Sequence, residues 1–281
     1  MSDRPRPPAA AEIRRQVAEA VAEDVGAGDL TAALLPVDLL AAARVISREQ
    51  GVICGCDWFA EVFRQIDAEV VLEWLVRDGD RVRQDQPLCL LHGRARSLLT
   101  AERTALNFLQ TLSGTASTTA RYVEAVAGTG VRILDTRKTL PGMRLAQKYA
   151  VRCGGGDNHR IGLYDAVLIK ENHIRAAGSI AAVLHRAQQD YAGVDSEIEV
   201  ESLQQLQEAL EAGAKRILLD NFTIDALRSA VVINRRRARL EVSGGVAIDA
   251  VRELAETGVD DISVGALTKH LRAFDLSMLF D

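Results

Sequence analysis

The chain has 281 residues, with 34 Lys+Arg against 39 Asp+Glu for a formal charge of −5. Its 48% hydrophobic and 26% charged residues exclude a disordered tail, a collagen and a coiled coil. The acidic total argues against a nucleic-acid-binding surface, and no apolar run is long enough for a membrane span, so neither partner is expected. The first residues carry Arg and Pro but no apolar core of a secretory signal. Cys54, Cys56, Cys89 and Cys153 form no Cys-x-x-Cys pair, which speaks against structural zinc and for reduced thiols in a cytoplasmic protein.

In chain order, Ile13, Val17 and Val21 fall on one face of a helix. The segment AARVISREQGVICG alternates apolar and polar residues before a Gly turn, as an antiparallel strand does. Val70–Val76 and Gln86–His92 read as further strands. Ser97–Leu112 reads as a helix with Leu98, Ala101, Ala105, Leu109 and Leu112 as its apolar stripe. From about residue 130 the texture changes. Six short apolar runs (VRILDTRK, DAVLIKENH, SEIEVES, RILLDNF, RLEVSGG and DISVGA) each end in polar residues and lead into a helical stretch. Continuous apolar strands fit a parallel sheet covered on both faces. Six strand–helix units point to a closed or nearly closed β/α barrel, and no GxGxxG marks a dinucleotide-binding sheet.

A β/α barrel carries its site at the C-terminal ends of the strands. The run ends are Asp135-Thr136-Arg137-Lys138, Lys170-Glu171-Asn172-His173, Glu199 with Glu201, Asp220-Asn221, Ser243-Gly244-Gly245 and Val264-Gly265-Ala266; Gly154-Gly155-Gly156-Asp157-Asn158-His159-Arg160 lies between the first two. Arg137, Lys138, Arg160, Lys170 and His159 would converge on one mouth, and like charges packed there require a strongly anionic ligand. Only five basic residues are lysines, so Lys138 and Lys170 stand out in a chain that uses Arg by default. The two Gly turns expose backbone N–H groups suited to a phosphate. Glu199 and Asp220, on neighbouring strands, could hold Mg²⁺ directly or through water, or stabilise a cationic transition state. A Schiff-base role for Lys170 is a further reading of the same residues.

The block DTRKTLPGMRLAQKYAVRCGGGDNHRIGLYDAVLIKENH (135–173) resembles the quinolinate phosphoribosyltransferases, the decarboxylating nicotinate-nucleotide pyrophosphorylases. EDVGAGDLT, AERTALNFLQTLSGTAS, IEVES, LLDNF, EVSGG and SVGALT match further signatures of that family in the same order. The resemblance implies an N-terminal α/β sandwich domain over residues 1–114, with 270–281 packing back on it, and an incomplete β/α barrel domain over 115–269. It implies conversion of quinolinate and phosphoribosyl pyrophosphate to nicotinate mononucleotide, CO₂ and pyrophosphate with Mg²⁺, in de novo NAD biosynthesis. It further implies a homodimer, or an assembly of dimers, with shared sites. By the same resemblance Arg103 reaches the neighbouring subunit's site. Thr136, Arg137, His159, Arg160 and Lys170 take quinolinate, and Lys138 is shared with the donor. Glu199 and Asp220 lie near the ribose and Mg²⁺, and Ser243–Gly245 and Val264–Ala266 hold the 5′-phosphate. Lys138, Lys170, Glu199 and Asp220 are the implied catalytic set. A sister family linked to molybdate transport shares the DTRKT and GGGxxHR blocks but typically lacks the Lys and Asn of the LIKENH segment, both present here as Lys170 and Asn172. That family, and a non-catalytic anion-binding paralogue, are the alternative readings.

Overall fold

The computed structural model describes residues 4–281. Its helices are α1 (Ala10–Val25), α2 (Cys56–Ile66), α3 (Ala95–Ala125), α4 (Arg144–Cys153), α5 (Glu171–Ala177), α6 (Ile180–Asp190), α7 (Leu203–Glu211), α8 (Ile224–Asn234), α9 (Val251–Ala255) and α10 (Ala266–Lys269). The strands are β1 (Leu40–Ser47), β2 (Gly51–Val52), β3 (Val71–Trp74), β4 (Arg81–Val82), β5 (Pro87–Arg94), β6 (Arg132–Leu134), β7 (Val167–Ile169), β8 (Ser196–Val200), β9 (Arg216–Asp220), β10 (Arg239–Ser243), β11 (Asp261–Ser263) and β12 (Leu276–Phe280). Two units result. One comprises the chain up to 120 with 140–155 and 271–281; the other comprises 121–139 and 156–270.

The first unit is built on an antiparallel sheet in the order β12-β1-β5-β3. The chain end enters it through β12, which pairs with β1 from Ala43↔Phe280 to Ser47↔Leu276. Trp58, Phe59, Val62 and Phe63 bury one stripe of α2. The Trp58 indole N–H donates to Gln16 Oε1 at 2.7 Å, so its polar atom enters the core satisfied. Helix α3 is longer than the Ser97–Leu112 expected from its apolar stripe. Ser113 and Gly114 look like a stop in sequence, yet each has a reason to be helical here. The Ser113 and Ser117 hydroxyls accept the N–H groups of Cys54 and Val52 at 2.9 and 2.8 Å. At Gly114, a Cβ would lie 2.2 Å from the Arg272 carbonyl oxygen, so only glycine admits that backbone.

The second unit holds six parallel strands in the order β6-β11-β10-β9-β8-β7. Ile198, Val200, Ile217, Leu219, Leu240, Val242 and Ile262 are buried. The period of two puts Glu197 and Glu199, Arg216 and Asp220, Glu241 and Ser243, and Asp261 and Ser263 on the opposite, interior face. Ser179, Ser202 and Thr223 cap α6, α7 and α8 by accepting the N–H three residues on. Among the described residues β6 and β7 do not pair, so the barrel is incomplete. Beside the free edge of β6 runs the segment after the glycine triplet. Asp157 N–H donates to Ile133 O at 2.8 Å and Asp135 N–H to Asp157 O at 3.1 Å, a single parallel rung. Among the described residues no helix is long and apolar enough to cross a membrane.

Candidate active site

The C-terminal ends of the parallel strands surround a cleft with about 610 Å³ of empty space, part of it open to solvent. Thr136, Arg137, Lys138, His159, Arg160, Lys170, Glu199 and Ser243 line it together with Leu168, Leu218, Glu241 and Ser263. The local chain explains each placement. The Thr136 hydroxyl accepts the Lys138 N–H at 3.1 Å, and Lys138 O accepts the Thr268 hydroxyl at 2.8 Å, which pins the loop after β6. Asp135, fully buried, accepts from Asn158 Nδ2 at 2.6 Å and from the His159 N–H at 2.9 Å, which carries His159 and Arg160 to the mouth. His173 Nδ1 accepts the Lys170 N–H at 3.0 Å, fixing Lys170 where β7 ends and α5 begins.

The cleft is cationic and incompletely neutralised. Among the described residues neither Arg137 nor Arg160 has an ion-pair partner, and the buried Nε of Arg137 has no hydrogen-bond partner. Burial first, and then the nearby Arg137 charge, pull the Arg160 pKa down. Two guanidiniums at one mouth, neither with an ion-pair partner among the described residues, define a receptor for an anion with more than one charge. Lys170 Nζ is ion-paired with Glu199.

Beneath the mouth lies a second, mixed layer. His159 Nε2 is 2.8 Å from Glu197 and 3.6 Å from Glu241, and its Nδ1 accepts the Arg160 N–H at 2.8 Å. Burial disfavours the charged ring, but the Glu197 hydrogen bond and the charges of Glu241 and Glu197 outweigh it and raise the His159 pKa. Arg216 reaches Glu241 at 3.2 Å and Glu197 at 3.7 Å. His159, Glu197 and Glu241 could hold a cation between them, since their ligand atoms lie within 4.8 Å of one another. The Arg216 guanidinium already lies against both carboxyl groups. Below them Asp261, with no exposed surface, accepts paired hydrogen bonds from Arg132 at 2.8 and 3.0 Å and from Arg239 at 2.8 and 3.0 Å. Burial raises its pKa, and the hydrogen bonds from Arg132 and Arg239 reverse that, so it stays below the usual carboxylate range.

Asp220, at the end of β9, has its pKa raised by burial and then by the Glu199 charge, with Lys170 and Lys138 acting the other way. The two carboxylates therefore sense each other at the edge of the cleft. The following turn is constrained by conformation: Asn221 has φ 57° and donates from Nδ2 to Asp220 at 2.9 Å. Gly244 has φ +109°, and a Cβ there would stand 2.4 Å from Asn221 Oδ1. Gly265 faces Lys138, whose Cδ would be 3.2 Å from an added Cβ. Arg103 is exposed on α3. Arg103, Asp220, Gly244, Gly245, Val264, Gly265 and Ala266 are not among the side chains lining the cleft. Glu197, Glu241, Arg216 and Ser263 were absent from the sequence-derived set. The available signal was a charged or polar residue at an alternate position of a strand whose intervening residues are apolar.

A parallel β/α barrel whose mouth gathers two arginines without ion-pair partners among the described residues and two lysines beside a pair of carboxylates defines an enzyme for a multiply charged anionic substrate. Family profiles described as Quinolinate phosphoribosyl transferase, N-terminal domain, and Quinolinate phosphoribosyl transferase, C-terminal domain, match residues 29–113 and 115–279. The chain is 42% identical over 275 residues to a nicotinate-nucleotide pyrophosphorylase (carboxylating) of Mycobacterium leprae, covering 94% of this chain and 96% of that one. It is 40% identical over 258 residues to a probable enzyme of the same name from Bacillus subtilis, covering 91% and 89%. The solved structure of the nicotinate-nucleotide pyrophosphorylase from Francisella tularensis superposes with a TM-score of 0.97 at 46% identity, over 100% of both chains. The chain belongs to the quinolinate phosphoribosyltransferase family, a family of pentosyltransferases.

Proposed function

We propose that the protein transfers the phosphoribosyl group of phosphoribosyl pyrophosphate to the ring nitrogen of quinolinate and releases CO₂, giving nicotinate mononucleotide and pyrophosphate for de novo NAD biosynthesis. The observation that carries this reading is the pair Arg137 and Arg160, two guanidiniums without ion-pair partners among the described residues, beside Lys138, Lys170 and His159. Quinolinate brings two carboxylates on adjacent ring carbons, which is the charge this mouth lacks. Arg137 and Arg160 bind the dicarboxylate by paired hydrogen bonds, and Lys170 and His159 orient the ring. As the ring nitrogen attacks the anomeric carbon and pyrophosphate departs, positive charge grows on the ribose, and Glu199 and Asp220 stabilise it. The positive charge of the pyridinium nitrogen then stabilises the electron pair that CO₂ leaves on the adjacent ring carbon until a proton takes it up, so no organic cofactor is needed. Ser243–Gly245 and Val264–Ala266 hold the 5′-phosphate through backbone N–H groups.

The donor set fits Mg²⁺: two oxygen ligands, Glu199 and Asp220, sense each other's charge at the cleft edge. They would hold the ion directly or through water, and the ion would neutralise the departing pyrophosphate.

We place Arg103 in the site of a partner subunit. Arg103 is exposed on α3, and the same unit leaves Leu30, Leu34 and Leu40 exposed at 87%, 83% and 74%. Apolar side chains so exposed fit a surface covered in a homodimer or an assembly of dimers. Mixing Arg103→Ala with Lys138→Ala chains should restore activity, because a hybrid dimer keeps one intact site. Roughly a quarter of the sites should recover after random exchange. Hybrids isolated by tag that remain inactive would refute the shared site. With its four free cysteines and this chemistry, the protein is assigned to the cytoplasm.

Gly244→Ala is expected to raise the KM for phosphoribosyl pyrophosphate about ten- to hundredfold by displacing the phosphate turn, with a much smaller change in quinolinate KM. Steady-state kinetics with each substrate varied would check this. The direct test of the whole reading is to incubate the purified protein with quinolinate, phosphoribosyl pyrophosphate and Mg²⁺, following CO₂ and nicotinate mononucleotide together, with nicotinate as a parallel substrate. Equal amounts of both products from quinolinate, and none from nicotinate, are expected. Binding of quinolinate without CO₂ release would instead identify a silent anion-binding paralogue.

A further inference from the structure

Loss of CO₂ leaves an electron pair on the ring carbon, and a proton must take the vacated place. Glu241 has the surroundings of an acid kept for that purpose. It lies in the middle of β10 and is 1% exposed, yet it lines the cleft floor beside Leu168, Leu218 and Ser263. Its Oε1 is buried and has no hydrogen-bond partner. A buried carboxylate oxygen left bare is costly, whereas a protonated one can present a donor to a bound ligand. The charged and polar groups facing it are Glu197 from β8, His159 from the segment beside β6, Arg216 from β9, and Asp261 and Ser263 from β11. Burial and then the Glu197 charge push its pKa up to about 8, against the pull of His159, Ser263 and Arg216. The proton is therefore held at neutral pH.

Resting on the reaction proposed above, we propose that Glu241 is the acid that delivers this proton to the ring. The bond between ring carbon and carboxylate breaks, CO₂ leaves, and the electron pair stays on the carbon. The proton passes from the Glu241 carboxylic acid to that carbon, and Glu241 is left as a carboxylate beside Arg216 and His159. One proton from solvent restores the acid. A second cavity offers it a way in: Asn158, Arg160, Glu197 and Arg216 line it together with His159, 3.6 Å from Glu241, and Ser196 and Val167 at the strand starts open it away from the cleft mouth. Leu168 and Leu218 give the cleft apolar surface beside Glu241.

Glu241→Gln keeps the size and removes the transferable proton. In a single turnover stopped by rapid quench, pyrophosphate release should stay within about threefold of the unaltered protein. CO₂ and nicotinate mononucleotide should appear about 100-fold more slowly or worse, and the phosphoribosylated dicarboxylate should accumulate because CO₂ is recaptured. CO₂ keeping pace with pyrophosphate would overturn the assignment. So would an equal loss in both steps, which would mark Glu241 as a positioning residue for His159. If the variant does not fold, the unaltered protein decides. Its CO₂ step should slow in D₂O and fall above about pH 8, while its pyrophosphate step should do neither. A CO₂ step indifferent to both would refute the proposal. Absence of pyrophosphate release from the unaltered protein with quinolinate would instead overturn the reaction itself, and the role of Glu241 with it.

Discussion

Lys170→Ala is expected to lower kcat by about 10²–10³-fold, the scale for removing one fixed electrostatic stabiliser. Lys138→Ala should fall in the same range. Lys170 is held at both ends: its N–H donates to His173 and its Nζ pairs with Glu199. Removing the amine deletes a charge that lines the cleft and leaves Glu199 beside Asp220 without its counter-ion, two carboxylates that already disfavour one another. Lys138 is anchored through Thr136 and Thr268 on the opposite side of the mouth. Saturating kinetics on each variant, with circular dichroism to verify folding, gives the measurement. Turnover near that of the unaltered protein in both variants would remove these lysines from the chemistry. Arginine at Lys170 should recover little, because a planar fork does not reproduce the position of an ammonium.

The second large effect concerns stability. Asp261→Asn should cost about 3 kcal/mol, the usual scale for removing one partner of a buried ion pair. Two guanidiniums, Arg132 and Arg239, bind both Asp261 oxygens, and the change leaves them facing a neutral amide in the barrel floor. The pH dependence has a definite sign. The Asp261 pKa is lower in the folded protein, so its contribution is present above the unfolded carboxylate pKa of about 3.9. It is lost as the pH falls through the lower folded value. The difference between Asp261→Asn and the unaltered protein should therefore be full at pH 7 and shrink in acid. Urea unfolding at both pH values measures it, and a constant difference would contradict the assigned cause.

Much of this site could be read from residues alone because chemistry and punctuation coincide at strand ends. The runs ending in Lys138, Lys170, Glu199, Asp220 and Ser243 are β6 to β10, or end within four residues of them. Their tips carry the polar residues that a barrel mouth exposes. Two things were harder to see. Glu197, Glu241 and Asp261 lie inside strands, where a charged residue normally argues against burial. Their burial depends on Arg132, Arg216 and Arg239 arriving from neighbouring strands, a pairing that only the sheet register reveals. The length of α3 was hidden for the reverse reason. Ser113 and Gly114 have turn chemistry locally, and tertiary contacts to Cys54 and Arg272 hold them in a helix.

The single rung that joins Asp157 to β6 makes the placement of His159 and Arg160 sensitive to counting. They lie two and three positions beyond that rung, and the glycine triplet comes directly before it. Deleting or inserting one residue between Asp157 and Arg160 would carry His159 away from its 2.8 Å contact with Glu197 and Arg160 away from the cleft lining. The triplet itself is closely held: a Cβ at Gly154 would stand 2.4 Å from the Ala116 carbonyl oxygen, and the Gly155 N–H donates to Arg152 O at 3.1 Å. The length of this loop is thus fixed on both sides of the rung, and a single-residue change in it displaces the two groups proposed to take the dicarboxylate.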